Sequence, residues 1–268
     1  MNSFQKIKVF TLDTLFPIHC ISCNYEGLWL CEECLEKIPL KQEWTCPICE
    51  KNITPGGRVC FHCRKKSFLD GLLVAASYKE NLISSAVHYL KYRFAKDLYI
   101  PLGKILTKAL NNSGLPLPEI IVPVPLHKRR LRWRGFNQSE LLAEYLGENL
   151  TPGFSIPIFN NLLIRKKYTQ PQMKIKNYFR RKKNIENAFM IDTSSMSFSP
   201  LIRGDAPKGQ RGQEYGMKKE NFLKNKKILL IDDIATTGST LFECAKVLKS
   251  AGAAEVFASV IARQENKK

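Results

Sequence analysis

The chain has 268 residues, 44% of them hydrophobic, and a formal net charge of +18 from 42 Lys+Arg against 24 Asp+Glu. That length accommodates one α/β domain of ~150–200 residues plus a small extra module, and without an apolar run of ~18 residues no membrane-spanning helix is expected. The charge surplus favours polyanionic partners (phosphates, nucleic acid or an anionic membrane face), although lysines scattered over a solvated surface would give the same total.

The first sixteen residues, MNSFQKIKVFTLDTLF, carry neither a long apolar core nor a small-residue cleavage site, so no signal peptide is read there. Eight of the nine cysteines then follow by residue 63, as four C-x-x-C pairs: Cys20/Cys23, Cys31/Cys34, Cys46/Cys49 and Cys60/Cys63. Pairs at this spacing aim two thiolates at one tetrahedral ion. Knuckles of this kind, with no secretory leader, point to a reducing cytosolic location. Residues 1–66 therefore read as a double zinc-ribbon module, too small to bury a core of its own size and held together by two structural Zn²⁺ ions. The simplest assignment is sequential: one ion on Cys20, Cys23, Cys31 and Cys34, the other on Cys46, Cys49, Cys60 and Cys63. An interleaved pairing is compatible with the same spacing. Removing zinc is expected to unfold residues 1–66 and leave the rest folded. His62, inside the last knuckle, reads as a bystander.

Residues 67–268 read as the main domain. Residues 67–118 read as mostly helical, a hood or sheet-flanking part. Ile83, Ala86, Val87 and Leu90 recur at helical spacing, and Pro101 opens a second helix with Leu102, Ile105, Leu106 and Leu110 on one face. His88 beside the first stripe reads as a packed or surface residue. Residues 119–126, EIIVPVPL, form a short strand; residues 127–136, HKRRLRWRGF, a basic loop. A helix then starts at Asn137 with Glu140 three residues later, as in a capping box. Residues 165–184 are basic and aromatic-bearing, Ala188–Ile191 is a strand candidate, and residues 193–224 are aperiodic and polar, read as a mobile loop or insertion.

The last segment is the most regular. Ile228–Ile231 is a fully apolar strand, Thr240–Gly252 a helix with Cys244 as a buried small hydrophobe, and residues 256–261 the next strand. Strand, loop, helix and strand make a βαβ unit, and the fold class is α/β with a doubly wound parallel sheet. Ligands of such sheets sit beyond the carboxyl ends of the strands. There the sequence runs Asp232-Asp233-Ile234-Ala235-Thr236-Thr237-Gly238-Ser239-Thr240. Gly238 permits close backbone approach, and successive N–H groups over a helix N-terminus make an anion cradle. No Walker A or G-x-G-x-x-G pattern is present. Carboxylates beside a phosphate cradle suit a ligand with hydroxyls next to its phosphate, such as a ribose 5-phosphate.

The run IDDIATTGST resembles the phosphoribosyl-pyrophosphate (PRPP) motif of type I phosphoribosyltransferases. Residues 123–138 (PVPLHKRRLRWRGFNQ), the Thr169/Gln172 and Arg181/Asn184/Ala188/Phe189 pattern and the cysteine-rich N-terminus narrow the likeness to the ComF family of competence-associated proteins. Lys128 stands where that family often has proline, and the 193–224 segment is longer than usual. The resemblance implies a five-stranded parallel sheet with a smaller hood, and PRPP with Mg²⁺ as ligand. It places Asp232 and Asp233 on the ribose hydroxyls and Ala235, Thr236, Thr237, Gly238, Ser239 and Thr240 on the 5-phosphate. It places Lys128, Arg129, Arg130 and Arg134 on the pyrophosphate, with Thr169, Gln172, Arg181 and Asn184 in a flexible loop. Catalysis is expected from Asp232, Asp233, Arg129 and Arg134, transferring phosphoribose to an unknown nitrogen acceptor.

A competing expectation is a single-stranded-DNA-binding competence factor in which the PRPP site is a sensor. The basic runs 128–134 and 174–183 would contact phosphates, and Trp133, Tyr178 and Phe179 would stack on bases. A third makes the zinc module a docking platform for DNA-uptake machinery. The expected location is cytoplasmic, compatible with peripheral attachment at the inner membrane.

Overall fold

The computed structural model describes residues 17–168, 185–192 and 222–264. Among the described residues, the central sheet has four parallel strands in the order β1-β6-β5-β2. These are β1 (Gly71–Ser77), β2 (Ile120–Pro123), β5 (Lys227–Ala235) and β6 (Glu255–Arg263). A separate antiparallel hairpin joins β3 (Leu163–Arg165) to β4 (Phe189–Ile191). The fifth sheet position implied by the resemblance is a single parallel bridge, Ile121 to Ile158, outside β2.

Side-chain alternation along the strands divides the core into two layers. Leu73, Ala75, Ile121, Leu229, Ile231 and Ile261 face one side. There they meet α3 (Asn81–Tyr92), α4 (Tyr99–Asn111) and α6 (Gln138–Asn149). Leu72, Val74, Val122, Leu230 and Val260 face the other, against the hairpin and α7 (Ser239–Ser250). This is the doubly wound α/β arrangement.

Two local expectations change. Residues 71–77 form strand β1, so the 67–118 segment opens with an unforeseen sheet strand before its two expected helices: GLLVAAS is buried at its first six residues. With both faces and an edge covered, it shows no polar alternation by which to recognise it. The basic stretch after β2 is not a loop but a short helix, α5 (Lys128–Arg134). His127 caps it by accepting the Arg129 N–H at Nδ1, and Gly135 closes it at φ 80°. Burial and the arginines around His127 depress its pKa, which keeps Nδ1 available as an acceptor.

The cysteine-rich segment carries two helices of one turn each, α1 (Glu32–Glu36) and α2 (Phe61–Arg64). It covers the outer edge of β1, which would otherwise be an open pairing edge. Lys41 N–H donates to Ala75 O, Val59 N–H to Asp70 O, and Trp44 Nε1 to Val74 O at 2.9 Å. Leu30, Leu35, Ile38 and Trp44 belong to the same apolar cluster as Ile83, Leu90 and Leu102. The segment is therefore packed into the core of the sheet domain.

Candidate functional site

Strand β2 ends at Pro123, opposite Ile231, while β5 continues to Ala235. The strand therefore runs further than Ile228–Ile231, and the two aspartates lie in its end, which is flanked by β6 alone. β2 has turned away at Val124, whose N–H donates to Ile231 O, and the gap beside Asp232 and Asp233 is a cleft. Its lining includes Lys91, Tyr92, Arg130, Arg134, Arg165 and Gln138, together with Asp232, Asp233, Thr236, Gly238 and Thr240.

Each aspartate is already oriented. Asp232 Oδ1 accepts the Ser139 hydroxyl at 3.0 Å and the Asp233 N–H at 2.9 Å. Asp233 Oδ1 accepts the Ile234 N–H at 2.7 Å, and its Oδ2 lies 2.8 Å from Lys91 Nζ. Ser139 reaches Asp232 because Asn137 caps α6, accepting the Ser139 N–H and donating Nδ2 to Val124 O. Glu140 accepts from Asn137 Nδ2 rather than from its backbone, so the foreseen capping box forms in altered form. Burial, with the Asp233 charge beside it, pushes Asp232 up to about 7, against the opposing pull of Lys91 and its hydrogen bonds.

After β5 the chain turns through Thr236–Gly238 into α7. Gly238 holds φ 77°, and a Cβ there would stand 3.0 Å from the Phe242 ring. The Thr237 and Ser239 hydroxyls lie 2.7 Å apart. The opening N–H groups of α7 and these hydroxyls thus converge beside the aspartates, an arrangement suited to an anion.

Helix α5 sorts the basic residues. Arg130 and Arg134, one turn apart, line the cleft. Arg134 is buried, donates to Gln138 Oε1 and stands over the Tyr92 ring. Lys128 and Arg129 are exposed and outside the lining; Arg129 stacks 5.2 Å from the Tyr168 ring centroid. Sequence reasoning missed Lys91, Gln138, Ser139 and Arg165. Arg165 is buried on β3 above Phe189, and burial with neighbouring Arg130 lowers it to about 10, so it keeps its charge at neutral pH. The foreseen Thr169, Gln172, Arg181 and Asn184 lie outside the described residues, as do Tyr178, Phe179 and nearly all of 193–224.

The eight N-terminal cysteines form two groups, Cys20/Cys23/Cys31/Cys34 and Cys46/Cys49/Cys60/Cys63, each with its sulfurs within 4.8 Å of one another. This is the sequential pairing. A tetrahedral S₄ site with Zn–S near 2.3 Å has sulfurs about 3.8 Å apart. Cys23 and Cys31 are 3.5 Å apart and Cys49 and Cys60 3.9 Å, so both groups fit such an ion. His62 belongs to neither.

Among known proteins, a family model described as "Phosphoribosyl transferase domain" matches residues 173–268. Competence protein F of Haemophilus influenzae is 29% identical over 252 residues, covering 90% of this chain and 95% of that protein. DNA utilization protein YhgH of Escherichia coli K12 is 28% identical over 236 residues, 86% of this chain and 88% of that one. A glutamine PRPP amidotransferase structure from B. subtilis aligns with 66% of this chain and 30% of its own, at 15% identity and a TM-score of 0.36, a likeness too slight to carry an argument.

Proposed function

The chain is a homologue of the ComF and YhgH proteins, and from that premise we propose that it binds PRPP with Mg²⁺ and transfers phosphoribose to a nitrogen acceptor with release of pyrophosphate. One observation carries the reading. Two adjacent carboxylates end a parallel strand, a left-handed glycine turn follows into α7, and two arginines face them across one cleft. Asp232 and Asp233 would hold the ribose hydroxyls. The Ala235–Thr240 turn would hold the 5-phosphate on backbone N–H groups and hydroxyls. Arg130 and Arg134, with Arg165, would neutralise the pyrophosphate as it departs. Lys128 and Arg129, also expected on the pyrophosphate, do not line this cleft.

Mg²⁺ is satisfied by one or two carboxylates together with phosphate oxygens of a substrate, a donor set that Asp232 and Asp233 fit. When bound it would share the charge of the leaving pyrophosphate. The two cysteine groups would hold structural zinc. The names of its relatives support, as part of the same proposal, a role in the service of DNA uptake from the cytoplasm. Among the described residues no helix is long and apolar enough to cross a membrane. A calorimetric titration with PRPP and Mg²⁺, followed by a pyrophosphate-release screen across nucleobases and amines, tests the reading. Saturable binding lost in an Asp232→Asn/Asp233→Asn double variant supports it, and absence of binding to the intact protein rejects it.

A second reading, a single-stranded-DNA binder, is favoured by a separate observation. Tyr92, Phe94 and Trp133 are exposed beside the cleft, with Trp133 6.2 Å from Tyr92 and 5.7 Å from Phe94 between ring centroids. Bases stack on such rings while nearby arginines meet the phosphates. Oligonucleotide affinity that falls with salt and drops on Trp133→Ala supports this reading; salt-independent binding excludes it.

A further inference from the structure

The turn that would hold the 5-phosphate is tied to the second cysteine group through two side chains. Cys46 to Cys49 form a tight turn closed by the Glu50 N–H on Cys46 O at 2.9 Å. This leaves Glu50 in the left-handed region at φ 56°, which disfavours a glutamate and suits glycine or asparagine. The first group makes the same turn, Asn24 N–H on Cys20 O, and there the left-handed residue at φ 63° is an asparagine. Glutamate is thus the poorer backbone choice at position 50, and its side chain has a partner that accounts for it. Glu50 Oε1 accepts from Arg263 at 2.5 Å. Arg263 is the last residue of β6, only 16% exposed at its side chain, and its Nε donates to Thr236 O at 3.3 Å. Thr236 opens the turn into α7 and lines the cleft.

We propose that Glu50 and Arg263 are positioning residues that couple the second cysteine group to the Thr236–Thr240 turn, so that the metal state of that group sets the order of the turn. With Cys46 and Cys49 held on one ion, the turn between them is fixed and Glu50 is aimed at Arg263. Arg263, neutralised by Glu50, stays extended over the Thr236 carbonyl. Loss of the ion frees the turn, Arg263 loses its counter-charge, and the carbonyl loses its donor. The consequence for ligand affinity rests on the PRPP reading; the coupling itself does not.

Glu50→Gly separates the relay from the metal site, because glycine suits the left-handed position and leaves all eight cysteines in place. Hydrogen exchange of peptides covering 235–240 is measured on the full chain without ligand, alongside zinc content. The variant is expected to retain two zinc ions per chain while exchange in 235–240 accelerates several-fold. Chelation should accelerate the same peptides in the wild type and add little in the variant. Glu50→Gln, which keeps an acceptor, should fall between. Unchanged exchange in the zinc-loaded Glu50→Gly chain, or an equal chelation effect in both chains, overturns the proposal. In a parallel titration PRPP/Mg²⁺ affinity should fall several-fold in Glu50→Gly. A wild type that binds no PRPP removes the proposed function and leaves the exchange result to decide the coupling. A wild type that binds, with affinity unchanged in the variant, overturns the link to the site.

Discussion

Lys91 Nζ lies 2.8 Å from Asp233 Oδ2, and only 15% and 3% of the two side chains are exposed. The pair joins the last turn of α3 to the end of β5, and so fixes one wall of the cleft against the other. A buried ion pair adds little net stability, but removing one partner strands the other charge away from water. Lys91→Met is therefore expected to lower the unfolding free energy by about 3 kcal/mol, read as a shift in the urea midpoint at unchanged slope. Adding Asp233→Asn should recover part of the loss, which a merely local packing defect would not allow.

Asp232 carries the second prediction. Its pKa is about 7 in the folded chain, above the ordinary aspartate value. The folded state therefore binds this proton more tightly than the unfolded state, and the Asp232 contribution to stability falls as pH rises from about 4 to about 7. Above pH 7 both states are ionised and the cost is constant. Asp232→Asn removes the ionisation, so the variant should gain stability relative to wild type at pH 8 compared with pH 5, as read from paired denaturation curves. A ligand that engages the carboxylate should favour its ionised form. PRPP/Mg²⁺ binding near pH 6.5 should thus release a proton, seen as a dependence of the calorimetric heat on buffer ionisation enthalpy.

How far the sequence alone reveals this site follows from where its parts lie along the chain. The aspartates, Gly238 and the hydroxyls fall in nine consecutive residues, so their chemistry is visible without a fold. Lys91 looks like any basic residue of an amphipathic helix until α3 is packed against β5, about 140 residues later in the chain. Arg130 and Arg134 carry a signal that helical spacing could have exposed. Once α5 is a helix rather than a loop, these two share a face and Lys128 and Arg129 do not. Strand β1 was hidden for the opposite reason: its uniform burial erases the alternation that marks a strand. The cysteine spacing gave the metal groups but not their setting, because the edge they cover belongs to that unrecognised strand.

That setting changes what metal removal should do. Trp44, Leu35 and Ile38 pack in the same cluster as α3 and α4, and the segment hydrogen-bonds along β1. Chelation is expected to do more than unfold a free-standing module. Amides of residues 71–77 should lose protection, and the thermal midpoint of the sheet domain should fall by several degrees, since ~1–2 kcal/mol moves a domain of this size by that amount. Exchange at β2 and at residues 227–234 of β5, which the segment does not pair with, should change least. Full protection of 71–77 in the chelated protein would show that β1 holds its edge without the cysteine segment.

Gly238 is the sharpest test of the turn itself. Its φ of 77° costs an alanine about 1–2 kcal/mol of backbone strain, and the new Cβ meets the Phe242 ring at 3.0 Å. Phe242 lies in the first turn of α7 and is only partly buried, so it can yield by a small rotation, and the fold should survive. The turn cannot both relieve its strain and keep its N–H groups converged, because relief means rotating the peptide that precedes Ser239. Gly238→Ala should therefore retain its secondary structure, lose about 1–2 kcal/mol of stability and lose at least tenfold in affinity for PRPP and for ribose 5-phosphate alike. Affinity for free pyrophosphate, which Arg130 and Arg134 would hold, should stay within twofold of wild type. Equal losses for all three ligands would mean that the turn supports the cleft as a whole rather than holding a phosphate.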